Sequence, residues 1–347
     1  MRNKKKFFTA LATILVTIAL LALLAHIVEE HRARQLSQTM DATDSTQTSG
    51  KDSVLPAKKV RLYGKKYIYN HQIETYLFLG TDGSGAEDGE GEDYVGSMAD
   101  SINLLVLDKT DKTYAIIQLN RDTITEIDLM TEDGESYASA ELQLCTAHWY
   151  GGNKQQSCEN TVAAVSRFLG KIKIDGYLAI PMTQIGALNH IVGGVEVTIE
   201  DDFSELDPSL VMGETILLSD EQAVNYLRGR MNVGDGENTS RMRRQKQYMK
   251  SFAERAKQTL GNDADALLAA EQELLGFSTT DLTEKTLSGI ADKLYQYENL
   301  GIFTPEGETA LGSRLGDGLE HVEFYADEQS VTDMMTQLFH LEAAEEE

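Results

Sequence analysis

Arg121 and Asp122 stand just beyond an apolar run, residues 114–117, within the stretch QLNRDTITEI. A charged pair at the exit of a buried strand is either an ion pair that finishes a sheet edge or the floor of a binding site. Two more acids have a comparable setting. Asp82 follows the short apolar run 76–79 and Gly80, and Asp100 precedes the run 102–107. Carboxylates fixed at neighbouring strand boundaries would suit a hard divalent cation such as Mg2+, which takes one or two carboxylates and fills its shell with phosphate oxygens and water. The segment between them, TDGSGAEDGEGEDYVGSMADSIN, is made of glycines and acids that cannot pack, so residues 87–93 are expected in a solvated loop.

The densest cationic stretch is NYLRGRMNVGDGENTSRMRRQKQYMKSF. Arg228 and Arg230 fall at the end of one helix. After a loop containing Gly and Asn, Thr239 or Ser240 caps another, with Arg241, Arg243 and Arg244 in its first turn. Cations are unfavourable there because the helix dipole already presents positive charge. An anion neutralises both, and helix N-termini with free N–H groups hold phosphate well. Met242, Met249, Phe252 and Ala256 form the apolar stripe of this helix, with Gln245 inside it and Arg241 and Arg244 along its border. Those three polar side chains are expected to converge on one point above the core, while Arg243 and Lys246 face solvent.

The elements that must position these groups alternate along the chain. Residues 76–79, 102–107 and 114–119 are expected strands, the last two joined as a hairpin by DKTDK. Ser157 can cap a helix running to Leu169, residues 174–180 return as a strand, and residues 182–192 fit a helix stopped by Gly193 and Gly194. A strand at 195–199 precedes a helix opened by the capping box Ser219 and Gln222. Further on, a helix at 280–297, a strand at 322–325 and a helix at 331–341 are expected. Strands of mixed direction interleaved with helices imply an α/β fold, a central sheet with helices on both faces.

The flanks set the compartment. MRNKKK at residues 1–6 is followed by an uncharged apolar run, residues 7–28, long enough to span a bilayer. Basic residues before such a run hold that end in the cytoplasm. An uncleaved single-pass anchor is expected, with the globular part outside the cell; a cleaved signal peptide is the competitor, but HIVEEHRARQ contains no A-x-A-like site. Residues 29–58 form a polar linker, residues 59–260 the main domain, residues 261–341 its completion and residues 342–347 an acidic tail. The 56 acidic against 31 basic side chains, a net charge of -25, argue against nucleic acid as a partner. Cys145 and Cys158 are the only cysteines, and an even count outside the cell favours a disulfide; two buried thiols are the alternative.

ADSINLLVLDKTDKTYAIIQLNRDT, AHWYGG, FLGKIKIDGYLAI, IVGGVEVTI and YLRGR…SRMRRQ, in this order behind an anchor, together resemble the LytR-CpsA-Psr family from about residue 76 to residue 260. The resemblance implies a membrane-anchored phosphotransferase of bacteria, mostly Gram-positive. Such enzymes move a teichoic acid or capsular polysaccharide from a polyprenyl-pyrophosphate carrier to peptidoglycan. It implies that Asp82 and Asp100 hold Mg2+, that Arg121 binds the pyrophosphate beside Asp122, and that Arg228, Arg230, Arg241 and Gln245 complete the head-group contacts with Arg244 alongside. It also implies a tunnel for the carrier's apolar chain, lined by residues 162–169 and 185–192 if these are not ordinary core. Four positions depart from the family pattern. Met98 and Gln143 stand where cations are usual, Asn120 replaces a proline, and Asn238 replaces an acid for which Asp235 could substitute. Two other readings therefore stay open: a non-catalytic sensor or scaffold that binds lipid-linked wall precursors, and a polyprenyl-pyrophosphate pyrophosphatase.

Overall fold

The computed structural model describes residues 58–82, 96–131, 133–229, 232–234 and 275–344, with scattered positions from 244 to 273. The expected cytoplasmic tail, anchor and nearly all of the linker lie outside the described residues. Among those described, no helix is long and apolar enough to cross a membrane.

Strands β3 (Ile73–Thr81), β4 (Ala99–Asp108) and β5 (Thr113–Leu119) form an antiparallel meander at the centre of a six-stranded sheet. β8 (Gly176–Pro181) lies parallel to β3 and β12 (Glu298–Phe303) parallel to β5, while the short β11 (Thr279–Thr280) closes the far side antiparallel to β8. Alternate residues serve opposite faces. Leu77, Leu104, Val106 and Ile117 pack with Val165 of helix α1 (Lys154–Phe168) and with Val331, Met335 and Phe339 of helix α5 (Glu328–Phe339). Tyr76, Phe78, Leu105 and Ile116 pack the other way. Their partners are Ile185 and Leu188 of α2 (Ile185–Ile191), Ala223 and Tyr226 of α3 (Asp220–Arg228), and Leu287 and Ile290 of α4 (Glu284–Gln296). Burial on both faces is why these strands show unbroken apolar runs. The expected mixed sheet with helices on both faces is the observed one.

Three local expectations change. Helix α1 starts at Lys154, capped by the Asn153 side chain, which accepts the Gln156 N–H; Ser157 is buried one turn inside it. The expected helix at 182–192 is a 3-10 turn, Met182–Gln184, followed by α2. Residues 342–343, assigned to the acidic tail, form β15, which pairs with β2 (Lys65–Tyr69) beside β1 (Lys58–Leu62). The two stretches expected to line one tunnel also part company. Val165 and Leu169 lie on one face of the sheet and Ile185, Leu188 and Val192 on the other, so a single channel cannot use both.

The hairpin β6 (Ile124–Met130) with β7 (Ser136–Gln143), the short pair β9 (Glu196–Thr198) with β10 (Thr215–Leu217), and the hairpin β13 (Gly307–Gly312) with β14 (His321–Ala326) complete the described strands. β14 lies beside the start of β6, where Thr123 bridges Phe324. This contact matters for the turn that carries Arg121.

Candidate active site

The register of β4 on β5 aligns Ile102 with Leu119, so the residues just beyond, Asp100 and Arg121, face each other across the end of the sheet. The neighbouring strand delivers Asp82 to the same end, where its N–H donates to the Met98 carbonyl at 3.0 Å. Arg121 and Asp122 ride on a tight turn. Asn120 makes it, its side chain accepting the Asp122 N–H at 2.9 Å and its carbonyl the Thr123 N–H at 3.0 Å. An Asx-type turn thus does here what a rigid proline does by fixing φ. The turn is clamped from both sides. Leu144 and Cys145 donate to the carbonyls of Thr123 and Arg121, at 2.7 and 2.9 Å, and Phe324 of β14 donates to that of Asp122 at 2.8 Å.

The Arg121 guanidinium binds the Asp100 carboxylate through Nη1, lies 3.5 Å from Asp122 Oδ1 through Nε, and turns Nη2 to Met98 Sδ at 3.1 Å and Cys145 Sγ at 3.3 Å. Burial works to lower its pKa, but the Cys145 sulfur and the Asp100 and Asp122 carboxylates outweigh it and the pKa is raised. The group stays fully cationic. Cys145 is pushed up to about 11 by its burial, against the pull of Arg121, so it is a neutral thiol rather than a nucleophile. A second cation stands nearby, with Arg228 Nη2 at the end of α3 3.9 Å from Asp82 Oδ1. The side chains of Arg121 and Asp100 keep about a third of their surface open to solvent, and Arg228 and Asp82 about half. Two arginines and three acids at the open end of one sheet can exchange partners with an incoming anion and a cation.

Met98 and Gln143 add no charge. Met98 presents a thioether to Arg121, and Gln143 is buried with Nε2 3.4 Å from the Val322 carbonyl and an Oε1 that has no hydrogen-bond partner among the described residues.

The structure brings Asp100, Arg121 and Asp122 together and pairs Asp82 with Arg228. It removes Arg244 from the set. That side chain is 1% exposed and spent internally: it pairs with Asp201, donates to the carbonyls of Tyr226 and Gly229, and stacks on Phe203 at 5.2 Å. Tyr226 lies in the last turn of α3 and Gly229 just beyond it, where helix carbonyls take donors from outside the helix, so Arg244 positions the helix that ends in Arg228. Arg230, Arg241 and Gln245, with Arg243 and Asp235, lie outside the described residues.

The expected disulfide is absent, both cysteines being buried free thiols. They face different partners. Cys145 points to Arg121, whereas Cys158 Sγ lies 3.6 Å from His148 Nε2. That Cys–His pair escaped the sequence reading, since only the packing of α1 on the turn Leu144–His148 creates it. It is sealed in the core, and burial holds the His148 pKa down to about 4, so the ring is neutral and the pair is a buried hydrogen bond between uncharged groups. Asp82 and Asp100 offer oxygen donors from adjacent strand ends. That donor set fits Mg2+, which prefers carboxylate oxygen and leaves its other positions to water and phosphate.

The LytR_cpsA_psr family model matches residues 34–339. Among solved structures, protein gbs0355 from Streptococcus agalactiae aligns with a TM-score of 0.57 at 19% identity, covering 79% of this chain and 90% of that one. TagV from B. subtilis gives 0.53 at 20% identity, over 77% and 96%. A structure of TagT bound to LI-WTA gives 0.50 at 17%, over 77% and 89%. At such identities the structural likeness is one of fold. A search of curated proteins returned no match.

Proposed function

Because the chain belongs to the LytR-CpsA-Psr family, we propose that it is an extracytoplasmic phosphotransferase, anchored in the membrane by residues 7–28. It would move a glycopolymer such as a teichoic acid or capsular polysaccharide from a polyprenyl-pyrophosphate carrier to peptidoglycan. The observation that carries this reading is Arg121 held between Asp100 and Asp122 at the open sheet end, with Asp82 and Arg228 beside it. TagT, one of the structural neighbours, was solved bound to LI-WTA, and the proposal extends a ligand of that kind to this chain.

The acceptor hydroxyl oxygen bonds to the sugar-linked phosphorus, the bond to the carrier's phosphate breaks, polyprenyl monophosphate leaves and the hydroxyl proton passes to solvent. Phosphoryl transfer needs positioning and charge neutralisation more than a covalent nucleophile. Arg121 neutralises the pyrophosphate, which competes with Asp100 and Asp122 for its guanidinium. Arg228 leaves its weak contact with Asp82 for a phosphate oxygen, joined in the proposed site by Arg230, Arg241 and Gln245. Asp122 orients the acceptor hydroxyl. Asp82 and Asp100 would hold Mg2+, which supplies further charge neutralisation at the pyrophosphate.

The uncharged side chains of Met98 and Gln143 favour a second reading, a scaffold that binds the lipid-linked polymer without transferring it. The full-length protein, mixed with labelled polyprenyl-pyrophosphate oligosaccharide, peptidoglycan fragments and Mg2+, separates the two. Label reaching peptidoglycan, and stopping on chelation, supports the transferase. Binding without movement supports the scaffold, and phosphate release without labelled peptidoglycan points to a pyrophosphatase.

A further inference from the structure

β4 runs from the arginine site at Asp100 to Asp108, a span of about 26 Å by strand rise, and a second polar cluster sits at its far end. His71, Asp108, Asp111 and His340 each bring a ligand atom there, all within 4.8 Å of one another. Three distant parts of the chain supply them. His71 precedes β3, Asp108 ends β4 and Asp111 lies in the β4–β5 turn, and His340 ends α5 in the left-handed conformation with φ 53°. Asp108 is buried and anchored, its Oδ1 accepting the N–H groups of Thr110 at 2.7 Å and Asp111 at 3.2 Å. Its Oδ2 faces two imidazoles at once, 2.6 Å from His71 Nδ1 and 3.3 Å from His340 Nε2. Asp111 Oδ2 is 3.6 Å from the same His340 nitrogen. The two rings stack with centroids 3.9 Å apart and planes 16° from parallel.

We propose that these four side chains form a binding site for a transition-metal dication of the zinc class, and that the bound ion ties α5 to the central sheet. Two imidazole nitrogens and two carboxylate oxygens are a complete tetrahedral set for Zn2+. Imidazoles select against Mg2+ and Ca2+, which take oxygen. Ligands about 2.1 Å from a tetrahedral ion stand about 3.4 Å from each other, close to the His340–Asp108 and His340–Asp111 spacings. The two carboxylates balance the ion's charge, and the paired N–H groups on Asp108 Oδ1 supply the outer-shell support that orients a ligating carboxylate. Uptake requires the His71–Asp108 contact to lengthen and the stacked rings to fan apart, which rotation of two partly exposed side chains allows.

The test uses full-length protein stripped of metal by a chelator and titrated calorimetrically with Zn2+ alone. The expected result is a saturable site whose filling raises the unfolding temperature, because an ion that binds only the folded chain stabilises it. Co2+ in its place is expected to give the visible d–d absorption of a tetrahedral site. His71→Ala and His340→Asn, the latter because Asn tolerates the left-handed conformation, should each weaken that site at least about 10-fold, a ligand counting for no less than an outer-shell partner. His190→Ala and His321→Ala, which alter the two other His–Asp pairs among the described residues, should not. The proposal is overturned if Zn2+ shows no saturable binding, or if its binding is unchanged in both His71→Ala and His340→Asn. These readouts are binding and unfolding, so they stand or fall apart from the transfer reaction.

Discussion

Arg121 touches both Asp100 and Asp122, so its removal is a sharp change at the active site. Arg121→Ala is expected to lower label transfer by at least about 100-fold, the scale of losing one preorganised electrostatic contact. Asp100 and Asp122 can then hydrate, and the circular dichroism spectrum should be retained. His148 predicts a pH effect of known sign. Burial lowers its pKa from 6.5 to about 4, so between those values the unfolded chain binds more protons than the folded one. Stability from this residue is therefore full above pH 6.5 and declines as the pH falls towards 4, by on the order of 3 kcal/mol. Denaturation midpoints at pH 7 and pH 4.5 should differ less for His148→Gln than for the wild type, other groups cancelling in the comparison. Cys145 and Cys158, both sealed and unbridged, should resist a thiol reagent in the native state. Both should react after denaturation without reductant.

Between elements, the Arg244–Asp201 pair fixes the end of α3 and hence Arg228. Arg244→Met removes the cation that pairs with buried Asp201 and should cost about 3–5 kcal/mol in chemical denaturation; adding Asp201→Asn should recover part of it. This pair also shows where sequence reading stops. Arg244 and Arg241 both border the apolar stripe of one helix, and nothing in that spacing says that Asp201, on a different segment, claims Arg244 for the core. The same limit explains the cysteines, whose separation along the chain carries no information about Cys145 facing Arg121 while Cys158 faces His148. Elements with strong local signals were legible. β4 and β5 are apolar on both faces, and Ser219 with Gln222 forms the capping box that was expected. The β6–β7 hairpin was not. Ser136 to Ala140 are exposed or half-buried, so no hydrophobic period marks that strand and its pairing supplies the order instead. Of the site, the Asp82, Asp100 and Arg121–Asp122 positions could be read at strand ends, whereas their mutual pairing depends on the register of β3, β4 and β5.

For the molecule as a whole, a net charge of -25 means that any anionic substrate must be held by local cations, which places the demand on a few arginines. The sheet that carries them is finished by strands from late in the chain. β12 begins at Glu298 and pairs with β5, which ends at Leu119, and β11 begins at Thr279 and pairs with β8, which ends at Pro181. A chain ended at residue 297 lacks β12, α5 and the helix residues Val331, Met335 and Phe339 buried against the sheet. It is expected to aggregate on expression, which light scattering of the purified truncation would check. The three-strand meander can form from local contacts as soon as it is made, but loops this long close slowly and late. While residues 120–297 are being synthesised, the outer edge of β5 carries Ile116 and Ile117 with no strand beside it, and an open apolar edge invites pairing with other chains. The order of synthesis thus creates an interval of vulnerability that ends only when the last seventh of the polypeptide arrives, and any factor that guards the nascent protein has that edge to cover.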